Sequence, residues 1–293
     1  MNGLLGEIGK KLAERWVSLL ALPGLLFLGS AIVAVTLGHS HALDVGMLSE
    51  RITKWSTAPG KRSFGAAALL LTSVLLGSVM VGVVATALGS AVEMLWTLPG
   101  ERRPASWLAD RRRKRSRDAK EAADTAQSPE QLARAIATAD RICLVEANRP
   151  TWIGDRLRVP YVRVALTYNL DLDACWPRLW LIVSADTRSE LEAGRDSLAS
   201  AARLGAWAVL YLALGFWWWP AVAVAVVLQT SALIKGRMSA ANLADLVEAS
   251  VDLHVGDIAD QLRLDLVNAP GQQRMLNSLL RKSRWDPESP VAQ

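Results

Sequence analysis

Three stretches of the chain carry no charged side chain: Val17–Leu37, Phe64–Val92 and Leu204–Ile234, of 21, 29 and 31 residues. About 20 apolar residues in a helix cross the hydrocarbon core of a bilayer, so each stretch is long enough to span one. Elsewhere the apolar positions recur at helical spacing. Leu5, Ile8, Leu12 and Trp16 share one face with charges between them, and so do Leu132, Ile136, Ala139 and Cys143. Leu243, Val247, His254, Ile258 and Leu262 form a third such face. Ser128-Pro129-Glu130-Gln131 reads as a helix start, with Ser128 as cap, Pro129 at the first helical position and Gln131 closing a capping box. That helix is expected to run to Asn148-Arg149-Pro150. Thr151 can cap a following short helix, which Pro160 is expected to interrupt. The pattern predicts an all-α, polytopic membrane protein with four transmembrane helices and a helical cytoplasmic module.

The fourth span comes from the third stretch. As one straight helix its 31 residues would be about 46 Å long, against a core about 30 Å thick. The sequence Gly215-Phe216-Trp217-Trp218-Trp219-Pro220 lies near its middle. Tryptophan favours the membrane–water interface, and proline is accommodated at the first position of a helix. A hairpin is therefore favoured, with Trp217, Trp218 and Trp219 as interface anchors at its outer tip. Each arm would be about 23 Å, short but tolerable through local bilayer thinning. A single span kinked at Pro220 is the alternative, and it would move everything after Lys235 to the other side.

Charge sets the orientation. Lys10, Lys11 and Arg15 precede the first stretch, and Arg102, Arg103 and Arg111–Arg117 follow the second. Arg195 and Arg203 precede the third, and Lys235 and Arg237 follow it. Only Arg51, Lys54, Lys61 and Arg62 lie between the first two stretches. Positive residues stay inside, so both termini are placed in the cytoplasm and the protein in the cytoplasmic (inner) membrane. The chain then divides into an amphipathic juxtamembrane helix (1–16), a first span (17–38), a polar outer loop (39–63) and a second span with a cytoplasmic extension (64–98). A helical cytoplasmic domain (99–202), a third span (203–219), a fourth span (220–235), cytoplasmic helices (236–284) and a disordered tail (285–293) follow. The first stretch begins late and exceeds a signal-peptide core in length, so it is expected to be retained. Composition agrees with this class: 51% hydrophobic and 21% charged, with a net charge of +5.

Candidate chemistry is sparse. Arg111, Arg112, Arg113, Lys114, Arg115 and Arg117 form a basic run suited to anionic inner-leaflet lipids. Nucleic acid is a poor fit, because no stacking aromatics or recognisable module accompany the run. Ser78, Gly82, Thr86 and Ser90 place small side chains every fourth residue along the second span, a helix-packing stripe usable within the chain or in a homo-oligomer. Trp16 is a further interface anchor. His39, His41 and Asp44 read as solvated loop residues rather than a metal site, and Asp171 and Asp173 as capping or surface carboxylates. The two cysteines, Cys143 and Cys175, read as ordinary buried thiols. No Gly-rich phosphate loop, metal cluster or nucleophile–base set is present in the sequence, so no cofactor is called for and a non-catalytic anchor, scaffold or regulator with a cytoplasmic protein partner is expected. The other reading is a small channel or transporter component, in which Gln229 or Glu93 would matter.

Three segments carry a family resemblance. Arg149-Pro150-Thr151-Trp152-Ile153-Gly154-Asp155-Arg156-Leu157-Arg158, then Trp176-Pro177-Arg178-Leu179-Trp180, then Leu246–His254 resemble a group of bacterial integral membrane proteins of uncharacterised activity. That group implies four spans with a helical cytoplasmic insertion between the second and third. Pro160 departs from its pattern, where a charged helix tends to continue. The resemblance implies topology and no activity.

Overall fold

In a computed structural model of the protein, residues 21–57, 64–100, 103, 105–126, 128–142, 144–168 and 170–261 are described. The expected juxtamembrane helix with Trp16, the thiol of Cys143 and the C-terminal tail lie outside them. The described residues are all-helical: α1 (Leu22–Leu37), α2 (Val45–Thr57), α3 (Phe64–Trp96), α4 (Ala105–Asp124), α5 (Pro129–Ile142), α6 (Trp152–Tyr168), α7 (Leu172–Ile182), α8 (Ala185–Leu214) and α9 (Pro220–Gln261). Three of them, α3, α8 and α9, are long and apolar enough to cross a membrane, and α1 is a shorter apolar helix. The chain forms two compact units, Met1–Glu93 with Ala199–Ile234 and Met94–Leu198 with Lys235–Gln293.

In the first unit, small residues let helix backbones approach. A methyl group on Gly24 of α1 would collide with the carbonyl oxygen of Ser78 on α3, and one on Gly77 would lie 3.3 Å from Leu28 Cδ1. A Cβ on Gly89 of α3 would lie 2.9 Å from Arg203 Cγ of α8. Phe27 of α1 meets Trp207 and Tyr211 of α8 at ring centroid separations of 6.1 and 5.3 Å. Ala34 of α1, one further stretch along, shares a buried cluster with Leu214 and Ala221. Indices rise together on both helices, so α1 and α8 run parallel. The chain breaks between Leu214 and Pro220. Trp217 N and Trp218 N both donate to Leu214 O, at 3.0 and 3.1 Å, and Ala221 N and Val222 N donate to Trp218 O and Trp219 O at 3.0 and 2.9 Å. These bonds close the end of α8 and open α9 with Pro220 first, where its missing N–H forfeits nothing.

Two boundaries differ from the sequence expectation here. Residues 39–63 do not form a loop throughout: Asp44 Oδ1 accepts from Met47 N at 2.9 Å and starts α2. The aromatic tip lies in the turn itself, since α8 ends at Leu214 rather than at residue 219.

In the second unit, α9 is bordered by two helices. Gly194 and Leu243 approach to 3.3 Å, measured from a built Cβ, and Ser197 Oγ and Ser239 Oγ are 2.8 Å apart. One index rises as the other falls, so α8 and α9 are antiparallel there. Along α6 the order is reversed. Arg237 stacks on Trp152 at 5.8 Å, Arg156 pairs with Asp245, Arg163 with Glu248 at 2.9 Å, and Tyr168 donates to Asp252 at 2.9 Å. These rising pairs make α6 and α9 parallel. The core contains Val164, Leu170, Leu172, Cys175, Leu179, Val183 and Val251, with Trp176 packed on it. α9 continues without a break past Lys235, for 42 residues in all, or about 63 Å.

Two further expectations are corrected in this unit. α5 ends at Ile142, six residues before Asn148. Ser128 Oγ does cap it, accepting from Gln131 N at 3.3 Å. Pro160 does not interrupt α6, which runs through it for 17 residues. Proline removes one intrahelical bond, but Pro160 is fully buried and flanked by buried Val159 and Val164, so packing holds the helix together.

Candidate functional site

The basic run is built into α4, and the helix divides it. Successive residues turn by about 100°, which places Trp107, Leu108, Arg111, Lys114 and Arg115 toward one side and Ala105, Ala109, Arg112 and Ser116 toward the other. The first set is exposed or nearly so, and Ala105, Ala109 and Ser116 are buried. Arg111 also lies over the Trp107 ring at 5.7 Å. Arg112 is turned inward, its side chain only 16% exposed.

Arg112 is therefore no free lipid contact. Its Nη1 donates to Asp155 Oδ2 at 2.6 Å and to Arg149 O at 2.8 Å, and its Nη2 donates to Ile142 O at 2.9 Å. Arg113 reaches Ala147 O at 3.2 Å and pairs with Asp110 and Glu146, while Arg117 pairs with Glu146 at 3.4 Å. Arg158 of α6 donates to Glu146 O at 2.5 Å, and Gly100 N to Asn148 O at 3.1 Å. Five carbonyls between Ile142 and Arg149 are thus held from outside the segment. A loop with no ladder of its own needs such partners for its backbone.

Asp155 is the centre of this joint. Its Oδ1 accepts from Asn148 N at 3.0 Å and Arg149 N at 2.9 Å, and its Oδ2 from Arg112. The side chain is buried. Three charge-assisted bonds are what allow a carboxylate to be buried while ionised. The same joint closes the end of α3. Thr151 Oγ1 donates to Trp96 O, and Arg149 Nη1 to Thr97 O at 2.8 Å. These are the carbonyls a helix leaves without internal partners at its C-terminus, where positive charge is also favourable. Gly154 N in turn donates to Thr151 Oγ1 at 3.0 Å, capping α6. Burial pushes the Arg149 guanidinium below its usual range, the nearby charge of Arg158 adds to this, and Asp155 opposes it. A Cβ on Gly236 of α9 would lie 3.0 Å from the Trp96 ring and from Ile153 Cδ1, so Trp96 packs directly on the α9 backbone.

The small-residue stripe is shifted. Ser78 and Gly82 are buried as expected, but Thr86 and Ser90 are exposed. The buried positions continue instead through Ala85 and Gly89. Spacings of four, three and four residues keep to one face of a 3.6-residue helix, whereas four, four and four drift off it. Thr86 Oγ1 turns back to Gly82 O at 2.9 Å. At the aromatic turn, Trp217 and Trp219 are exposed, but Trp218 is half-buried and donates from Nε1 to Ala42 O at 2.9 Å. Phe216, at 82% exposure, is the most exposed aromatic of the turn. Interfacial preference belongs to tryptophan and tyrosine, so nothing in the sequence singles out Phe216.

The remaining candidates have local roles. Asp44 caps α2, His39 Nδ1 donates to Trp217 O at 2.7 Å, and His41 Nδ1 lies 3.0 Å from Ser40 Oγ. Asp171 Oδ1 accepts from Asp173 N at 3.1 Å and caps α7. His254 Nδ1 donates to Ser250 O at 3.0 Å within α9. Gln229 is exposed on α9 and Glu93 is half-buried on α3. Cys175 is a free, buried thiol, and burial pushes its pKa up to about 11. Among the described residues, no group of three or more His, Cys, Asp or Glu side chains is arranged to hold a metal ion. Comparison of the chain with protein-family models, curated proteins and solved structures finds no match.

Proposed function

We propose that the protein is a non-catalytic, four-span anchor of the bacterial cytoplasmic membrane, with both termini inside, that presents a basic helical module to the inner leaflet and to a cytoplasmic protein partner. The spans are α1, α3, the second half of α8 and the first half of α9. The observation that carries this reading is the reversal at Gly215–Trp219: α8 closes, α9 opens with Pro220, and the backbone groups of the turn are bonded locally. A turn whose polar groups are satisfied tolerates the edge of a bilayer. Parallel α1 and α8 also fit two helices that cross in the same direction. The resemblance to four-span bacterial membrane proteins is part of this proposal.

The lipid contact is assigned to Trp107, Leu108, Arg111, Lys114 and Arg115, with Arg117 at the edge. Arg112 and Arg113 are committed to the carbonyls of Ile142, Ala147 and Arg149. Exposed positive charge beside exposed tryptophan and leucine suits an anionic headgroup layer, at about 1 kcal/mol per charge near the surface. The topology is tested by a reporter at the C-terminus of the full chain. Fluorescence of a cytoplasm-folding reporter is expected, and activity of a periplasm-dependent reporter at that site overturns the reading. The anchoring role is tested by photo-crosslinking in intact membranes from Lys114 and Arg115. Crosslinks confined to lipid and non-specific protein would remove the partner from the proposal.

A further inference from the structure

We propose that α2 lies in the outer headgroup layer of the membrane as an interfacial helix, and that the Phe216–Trp219 turn shares this layer with it. The proposal rests on the four-span reading for which side is outer, but not for the contact with lipid. Residues 39–63 are expected from their composition to be a solvated loop. The structure instead has a 13-residue helix, Val45–Thr57. Its residues sort by face at about 100° per residue, with Met47 the apolar exception on the polar side. Val45, Leu48 and Ile52 lie on one side, and Glu50, Thr53 and Lys54 on the other. A helix in a soluble protein would turn the first side onto a core. Here Val45 is 74% exposed and Ile52 60%, with Leu48 half-buried between them, and Leu43 just before the helix is exposed as well. The opposite, polar face is also exposed, with the Lys54–Glu50 pair at 3.9 Å in solvent. A helix with a charged face and an apolar face that is open at Val45 and Ile52 matches the boundary between acyl chains and water.

A second set of residues places the same surface at that boundary. Phe216, Trp217 and Trp219 are exposed. The turn that bears them is tied to the segment leading into α2 by two hydrogen bonds. Trp218 Nε1 donates to Ala42 O at 2.9 Å, and His39 Nδ1 donates to Trp217 O at 2.7 Å. Because the partner is a carbonyl oxygen, His39 must carry its proton on Nδ1. The aromatic turn and the start of α2 thus move as one piece. Both sit where apolar helices end, at Leu37 of α1, Leu214 of α8 and Pro220 of α9. Exposed apolar side chains continue down those helices at Val35, Leu212 and Val222. The occupant that covers all of these at once is the bilayer: acyl chains against the helices, headgroups against the tryptophans and the apolar face of α2. Arg51, which borders Leu48 at the edge of the apolar face, is long enough to extend to phosphates while its stem stays on the apolar side.

The test uses nitroxide labels on single cysteines in full-length protein reconstituted in phosphatidylcholine–phosphatidylglycerol vesicles. Val45→Cys and Ile52→Cys report the apolar face, Glu50→Cys and Thr53→Cys the polar face. All four positions are exposed, so labelling leaves packing intact. The collision ratio of oxygen to a water-soluble nickel complex is expected to be several-fold higher at 45 and 52 than at 50 and 53. Four equally nickel-accessible sites would mean a solvated helix and would overturn the proposal. Four equally protected sites would mean a protein partner or deep burial and would overturn it too. Membrane-impermeant ascorbate, added to vesicles of known protein orientation, separately reads the side. If the 50 and 53 labels are reduced only from the cytoplasmic face while the contrast between faces persists, the topology is wrong and the interfacial placement stands.

Discussion

Removing the Asp155 carboxylate should open the second unit. In Asp155→Ala the Arg112 guanidinium loses its charge partner at 2.6 Å, and Asn148 N and Arg149 N lose their acceptor. Removing one member of a buried ion pair costs about 3–5 kcal/mol, and an orphaned backbone N–H about 1–3 kcal/mol. The terms overlap. Arg112 also keeps the carbonyls of Arg149 and Ile142, and water can reach a loop that is only half-buried. The net loss is therefore placed at about 3 kcal/mol, near the bottom of the range for buried pairs. Asp155→Asn keeps an acceptor oxygen for the two N–H groups but loses the charge, so its cost should be about half as large, within the range for hydrogen bonds to charged groups. Cys175 provides the readout, since it is a free thiol in the core of the same unit, 1% exposed. With Cys143 replaced by serine, a thiol reagent reacts at Cys175 only when the unit opens, and the rate follows the opening equilibrium. About 3 kcal/mol corresponds to roughly a 100-fold faster reaction, and the Asn variant should fall between this and wild type. If Asp155→Ala reacts within about twofold of wild type, or Asn is as damaging as Ala, the joint does not hold the unit and the reasoning fails.

Four other outcomes follow from the same contacts. The raised Cys175 pKa means that the folded unit keeps its thiol proton when the unfolded chain has lost it, so this contribution is full below pH 9.0 and is lost as pH rises toward about 11. Denaturant titrations across that window should show Cys175→Ala losing less stability than wild type. Gly24→Ala should lower the detergent-micelle melting temperature, because the added methyl meets the Ser78 carbonyl and overpacking costs about 1–3 kcal/mol; Gly29→Ala, which meets nothing, should not. Trp218→Phe removes the bond to Ala42 O and should cost about 1 kcal/mol, whereas Trp217→Phe should be near neutral, as read by thermal unfolding. An environment-sensitive dye at Leu108→Cys should shift to the blue when phosphatidylglycerol is added to nanodiscs, and Arg111→Glu with Lys114→Glu and Arg115→Glu should abolish the shift. An unchanged spectrum would remove α4 from the membrane surface.

The sequence by itself determined the features that depend on local length and period. Three charge-free stretches were enough to place apolar helices, because the thickness of a bilayer sets how many such residues are needed. The break at Gly215–Trp219 was also legible, since a run too long for one crossing must tilt, kink or turn, and Pro220 marks where a helix can begin. Caps at Ser128, Thr151 and Asp171 were readable for the same reason, as they act within a few residues of themselves. Tertiary structure decided what each surface residue does. Six positive residues look alike in a run, yet helix rotation turns Arg112 inward to Asp155, 43 positions away, and leaves Arg111, Lys114 and Arg115 outside. The stripe on α3 follows a 3.6-residue period, so Ala85 and Gly89 replace Thr86 and Ser90. Pro160 has a breaker's local preference, but burial among Val159 and Val164 outweighs the one bond it removes. α2 carries no signal beyond a weak amphipathic pattern among charges, and only its position beside the Trp217–Trp219 turn, through His39 and Ala42, shows what its apolar face can meet. Partners distant in sequence are invisible to a local pattern, because the free energy that selects them is released only when the helices pack.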